Sequence, residues 1–173
     1  MKITKFVMVL LAIVILVSCT PTIIVAPRAD NFSFVFKYLS CAPIPLNVLD
    51  TKNGTLVHTP LGSTESITFS FQLTDNELDA IYKKSMTIGF FDYPEIFIIP
   101  DDQVLGYHSP SSSYEISMTN GEMINSVTWK DDTMTKPDYK NADLLRELVD
   151  LIDQFIQSYL ETQELPEPKV GCA

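Results

Sequence analysis

Leu144-Leu-Arg-Glu-Leu-Val-Asp-Leu-Ile-Asp-Gln-Phe-Ile-Gln-Ser-Tyr-Leu160 places its apolar residues on one face of a helix. Leu144, Leu145, Leu148, Leu151, Ile152, Phe155, Ile156, Tyr159 and Leu160 recur at helical spacing. Arg146, Glu147, Asp150, Asp153, Gln157 and Glu161 take the other side. About twenty residues make roughly 30 Å of helix, enough to lie across several strands. A helix on a membrane surface would carry Lys and Arg on its polar face. This face is acidic, so the stripe is expected to pack on a core.

Upstream, the period falls to two. Phe32, Phe34, Phe36 and Tyr38 alternate with Ser33, Val35, Lys37 and Leu39, a strand with one aromatic face. Leu46–Asp50 and Thr55–His58 flank Asn53-Gly54, the dipeptide of a two-residue type I′ turn. Ile67, Phe69 and Phe71 alternate with polar residues. A second hairpin is expected about Asn120-Gly121, pairing Met118 with Met123, Ile116 with Asn125 and Tyr114 with Val127 on its apolar face. Between the hairpins, Thr74-Asp-Asn-Glu77 is a capping box, with Leu73 and Leu78 at the staple positions. Leu78, Ile81, Tyr82 and Met86 share a helix face that Gly89 can end. Phe90–Pro100 is apolar and Asp101–Ser113 reads as a polar loop. The expected fold class is α+β: a single domain, mainly antiparallel sheet, with a long C-terminal amphipathic helix and a shorter helix packed on one face.

The N-terminus carries an address. Lys2 and Lys5 precede the apolar run Phe6–Val17. Twelve residues give roughly 18 Å of helix against a hydrocarbon core of roughly 30 Å, so the run reads as a secretory signal rather than a span. Leu16-Val17-Ser18-Cys19 then resembles the lipobox of bacterial lipoprotein precursors. That resemblance implies a diacylglyceryl group on the Cys19 thiol and cleavage before it. Residues 1–18 are then a signal peptide, 19–31 a lipidated N-terminus and tether, and 32–173 the globular domain. It also implies a place outside the cytoplasm, on the outer face of a bacterial cell membrane, or in the periplasm or outer membrane of a two-membrane cell. The order of strands, LTDNELDAIYKK helix, TNGEMINSVTW hairpin and long helix over 32–168 is similar to small bacterial cell-surface lipoproteins. This second likeness implies an α+β domain and nothing about a ligand.

The chain has 173 residues, 46% hydrophobic and 20% charged, a globular composition. Its formal net charge of −10 falls to −12 once Lys2 and Lys5 are removed. Such a charge repels a nucleic-acid backbone, and it leaves the lipid, not headgroup attraction, as the expected anchor.

Chemistry-bearing patterns are sparse. His58 and His108 are the two histidines, and neither HExxH, CxxC, GxSxG nor SxxK occurs. Asp101-Asp102 and Asp131-Asp132 are carboxylate pairs of the kind calcium takes, but without EF-hand spacing they read as solvated loop charges. No catalytic residue, metal or cofactor is expected. Phe91 and Phe97 are expected in the core, while Tyr107 and His108 are candidate ligand-binding residues. With Cys19 taken by lipid, Cys41 and Cys172 remain as an even pair, a candidate disulfide or, alternatively, free thiols. The expected function is a non-enzymatic binding or interaction module with a protein or envelope partner. The alternative is a small extracytoplasmic hydrolase using His108 with a nearby Ser or Asp, which needs a nucleophile–base contact of about 3 Å.

Overall fold

The computed structural model describes residues 26–40, 46–60 and 63–165. Cys19, Cys41 and Cys172, and with them the lipidation and disulfide expectations, lie outside the described residues.

Seven strands form one sheet: β1 (Ser33–Ser40), β2 (Leu46–Asp50), β3 (Thr55–His58), β4 (Ile67–Ser70), β5 (Ile96–Phe97), β6 (Val104–Asn120) and β7 (Met123–Thr135). Their order is β4-β3-β2-β1-β6-β7-β5, antiparallel throughout except that β5 runs parallel to β7. Two helices, α1 (Asp75–Ile88) and α2 (Lys140–Leu160), complete the α+β domain.

The aromatic face of β1 is the floor of the core. Phe32, Phe34, Phe36 and Tyr38 are buried there with Ile116, Met118, Val127 and Trp129 of β6 and β7. Tyr82 of α1 meets Phe32 edge-on at 5.4 Å, and Tyr159 of α2 meets Phe71 at 4.6 Å, so both helices cover this face. Along α2, Leu145, Leu148, Val149, Ile152, Ile156 and Leu160 are buried, while Leu144, Leu151, Phe155 and Tyr159 border the core. The seam therefore runs one residue to the side of the expected stripe, through Val149. The capping box forms in full, Glu77 N–H to Thr74 Oγ1 and Thr74 N–H to Glu77 Oε2. Gly89 closes α1 in the left-handed region at φ 70°. Phe97 is buried and Phe91 half-buried, as core residues.

Three local expectations are corrected. The β6–β7 pairing is Asn120↔Met123, Met118↔Asn125, Ile116↔Val127 and Tyr114↔Trp129, two residues from the expected register. Asn120 stays in the strand because its Oδ1 accepts from Ala29 N–H, so Gly121, at φ 63°, opens the turn. A slip of two keeps every side chain on its face, and the apolar assignment survives. The β2–β3 connection is the four residues Thr51–Gly54, not a two-residue turn, because Asp50 pairs with Thr55. Asp50 Oδ1 accepts from the N–H groups of Lys52 and Asn53, an Asx turn that lengthens the loop. The expected loop Asp101–Ser113 is instead a short 3-10 turn, Asp101–Gln103, followed by the first half of β6. That half shows no apolar alternation because its side chains are largely exposed; it is extended through pairing with β7, across two register shifts.

The last residues of the expected tether lie on the domain. Tyr82 Oη donates to Ala26 O at 2.7 Å, and Arg28 pairs with Asp79 at 2.6 Å and Asp75 at 3.1 Å.

Candidate functional site

The strand order β6-β7-β5 places several exposed apolar residues on neighbouring strands at one corner of the sheet. Ile96 and Ile98 come from β5 and its continuation, Leu105 and Tyr107 from β6, and Met134 from β7. Ile98 is 74% exposed and Tyr107 72%, values that the core-filling role expected of most apolar residues does not explain. Met134 lies over Gly106, where a Cβ would sit 2.9 Å from its Cε, so the glycine makes room for the methionine.

A cleft opens beside this group. Thr128 N–H bonds to Glu95 O at 2.7 Å and Lys136 N–H to Gln103 O at 2.9 Å, while the β5–β7 ladder runs only through Phe97↔Trp129. Between those points the 98–102 chain and β7 enclose a cleft of about 220 Å³. Phe97, Ile99, Val104 and Tyr107 supply apolar wall; Asp101, Lys130, Asp132 and Thr133 supply polar wall. Lys130 Nζ pairs with Asp132 Oδ2 at 2.6 Å. Apolar contact with a few polar groups is binding chemistry.

Behind the cleft stands a partly buried ion pair. Arg146 of α2 holds Asp131 by two bonds, Nη2 to Oδ1 at 2.7 Å and Nε to Oδ2 at 3.1 Å. Its guanidinium also reaches Thr133 O at 2.8 Å and lies 5.6 Å from the Trp129 ring centre. The hydrogen bond to Asp131, more than burial opposes it, raises the Arg146 pKa above its usual value. Asp131 is therefore no solvated loop charge, and the sequence expectation for that pair is corrected: it faces the core side, while Asp132 faces away to Lys130. Trp129 Nε1 and Thr133 Oγ1 are buried and, among the described residues, have no hydrogen-bond partner. Burial also raises the pKa of Tyr114, whose ring lies 5.4 Å from Trp129.

His108 sits at the edge of this arrangement. Its Nε2 is 3.7 Å from Asp131 Oδ1 and its Nδ1 3.3 Å from Pro110 O. Among the described residues no serine hydroxyl lies within hydrogen-bond distance of His108. Asp131, the one carboxylate beside it, is committed to Arg146. His58 is on β3, three strands away or about 14 Å across the sheet, so the two histidines do not meet. No group of three metal-capable side chains occurs among the described residues, and no helix among them is long and apolar enough to cross a membrane.

Of the two candidate ligand-binding residues, Tyr107 lines the cleft and His108, the next residue of β6, does not. Sequence reading missed Ile96, Ile98, Leu105, Met134 and the Lys130–Asp132 pair. Phe97-Ile-Ile-Pro100 did carry a signal, since apolar residues occupied both parities of a strand. Which parity is covered depends on the helices, which lie on the Phe97 side.

Neither a known protein-family pattern nor any curated protein sequence matches the chain.

Proposed function

We propose that this chain is a membrane-anchored, extracytoplasmic bacterial lipoprotein. Its α+β domain acts as a non-enzymatic module that binds a protein or envelope partner at the cleft lined by Ile98 and Tyr107. The anchor reading rests on the signal-like run and on Leu16-Val17-Ser18-Cys19. The binding reading rests on one observation: two strongly exposed apolar side chains, Ile98 and Tyr107, line the same cleft. Water contact at such a group is unfavourable by roughly 25 cal/mol per Å² of apolar area, which association recovers. Aromatic anchors such as Tyr107 concentrate that gain. His108 lacks a hydroxyl partner among the described residues, so the hydrolase reading gains no support from geometry.

The test uses the full chain in the membranes of the producing cell. A photoreactive side chain at Ile98 should give a discrete covalent adduct, and the same group at Gln154, exposed on α2, should give none. A labelled fatty acid should mark the wild type and not Cys19→Ala. Absence of an adduct at Ile98, or the same adducts from Gln154, overturns the binding reading; an unacylated Cys19 overturns the anchor.

A further inference from the structure

We propose that residues 26–31 are a clamp that fixes how the domain stands on its anchor. The β6–β7 turn faces the bilayer, and the Tyr107 corner is presented away from it. The proposal rests on the anchor reading for its direction, although the clamp itself is a contact set within the domain.

The clamp grips from two sides. On the helix side, Tyr82 Oη donates to Ala26 O at 2.7 Å and Pro27 O at 3.3 Å. Arg28 Nε bonds Asp79 at 2.6 Å and its Nη2 bonds Asp75 at 3.1 Å, both at the start of α1. On the sheet side, Ala29 N–H donates to Asn120 Oδ1 at 2.9 Å. Asn31 makes a two-way pair with Gly121, Nδ2 to O at 3.1 Å and Oδ1 from N–H at 2.8 Å. Phe32, buried, continues directly into β1. Each exposed bond alone is weak; together they fix six consecutive residues against two elements and leave little freedom to the path into β1.

Length then sets the geometry. Seven peptide steps separate Cys19 from Ala26, at most about 25 Å of chain. Tyr107 lies thirteen residues from Asn120 along β6, about 40 Å at strand rise. The clamp therefore brings the tether onto the domain beside the turn residue Gly121, and the cleft lies a sheet's length from that attachment. With a mature charge near −12, attraction to anionic headgroups does not pull the domain flat. The kind of partner this fits is one standing off from the anchoring bilayer, not its lipids.

Trypsin reads the clamp, because cleavage after Arg28 creates a new N-terminus at Ala29. In membranes bearing the full chain, wild type should yield that terminus at least tenfold more slowly than the Asp75→Asn/Asp79→Asn/Tyr82→Phe variant. Equal rates overturn the clamp. Orientation is read by fluorophores at Glu122→Cys or Tyr107→Cys, with Cys41 and Cys172 replaced by Ser, and a headgroup-attached quencher in the same membranes. Position 122 should be quenched several-fold more than 107; equal or reversed quenching overturns the orientation. The outcomes separate the readings. An unacylated chain leaves the membrane fraction with Arg28 still protected, whereas a failed clamp stays membrane-bound and is cut.

Discussion

Arg146 and Asp131 meet in a two-point fork that joins the first half of α2 to the strand behind the cleft, at 2.7 and 3.1 Å. Asp131 is only 9% exposed and faces Trp129's side of the sheet, so its carboxylate depends on this guanidinium.

Removing either partner strands the other. Fully buried pairs lose about 3–5 kcal/mol when one member is deleted. These side chains keep 26% and 12% exposure, which screens part of the loss. Arg146→Ala and Asp131→Ala should each lower unfolding free energy by about 2–3 kcal/mol. The double variant should lose clearly less than the sum, as urea titrations followed by circular dichroism will show. Strict additivity would mean that the fork contributes nothing as a pair.

His58 gives the domain an acid sensitivity of known sign. Burial pulls its pKa below the ordinary histidine value of 6.5, and among the described residues its Nδ1 has no hydrogen-bond partner. The unfolded chain therefore binds the proton first. The stability involved is fully present above the unfolded value of 6.5 and is lost as pH falls through it toward the lower folded value. The slope from one such group is at most about 1.4 kcal/mol per pH unit. Melting temperatures between about pH 8 and pH 5 should fall more steeply for wild type than for His58→Gln. Parallel curves would show that His58 titrates alike in both states.

Ile152 and Asp153 are sequence neighbours with opposite surroundings. Ile152 is wholly buried, and truncation to Ala should cost about 2–5 kcal/mol. Ile152→Asp should leave no cooperative unfolding transition, because it places an unpaired carboxylate in that site. Asp153 accepts one exposed bond from Gln157 at 3.0 Å, so Asp153→Asn should change stability by less than about 0.5 kcal/mol. Comparable losses at both positions would mean that the helix face is misplaced.

These contrasts show where the sequence was legible. Long periodic signals survived: the aromatic parity of β1, the capping box at Thr74 and the stripe of α2 each reflect local geometry acting with burial. Turn registers did not, because side-chain hydrogen bonds decide them, one of them to a distant partner. Asn120 is kept in its strand by Ala29, ninety-one residues away in sequence, and Asp50 lengthens its loop through a side-chain oxygen. The Asp101–Ser113 reading failed because period-two patterning appears only where one face is covered. The corner was hidden for a related reason. An apolar residue announces burial, and only the one-sided placement of α1 and α2 leaves Ile96 and Ile98 outside.

Ile98 and Ile124 have the same exposure, 74%, at opposite ends of the helix-free face. Ile98 adjoins the cleft, whereas Ile124 pairs with Thr119 beside the β6–β7 turn. Neither side chain supports the core, so Ile98→Ser and Ile124→Ser should each leave stability within about 0.5 kcal/mol of wild type. Their effects on partner capture should differ. Losing an apolar contact at a central binding position costs about 1–3 kcal/mol, a fall of roughly 5- to 150-fold in affinity. A photoreactive group at Met134 should therefore give much less adduct in Ile98→Ser and an unchanged yield in Ile124→Ser. An equal fall in both would make adduct formation a property of exposed apolar surface in general, and the corner would lose its claim to be the site.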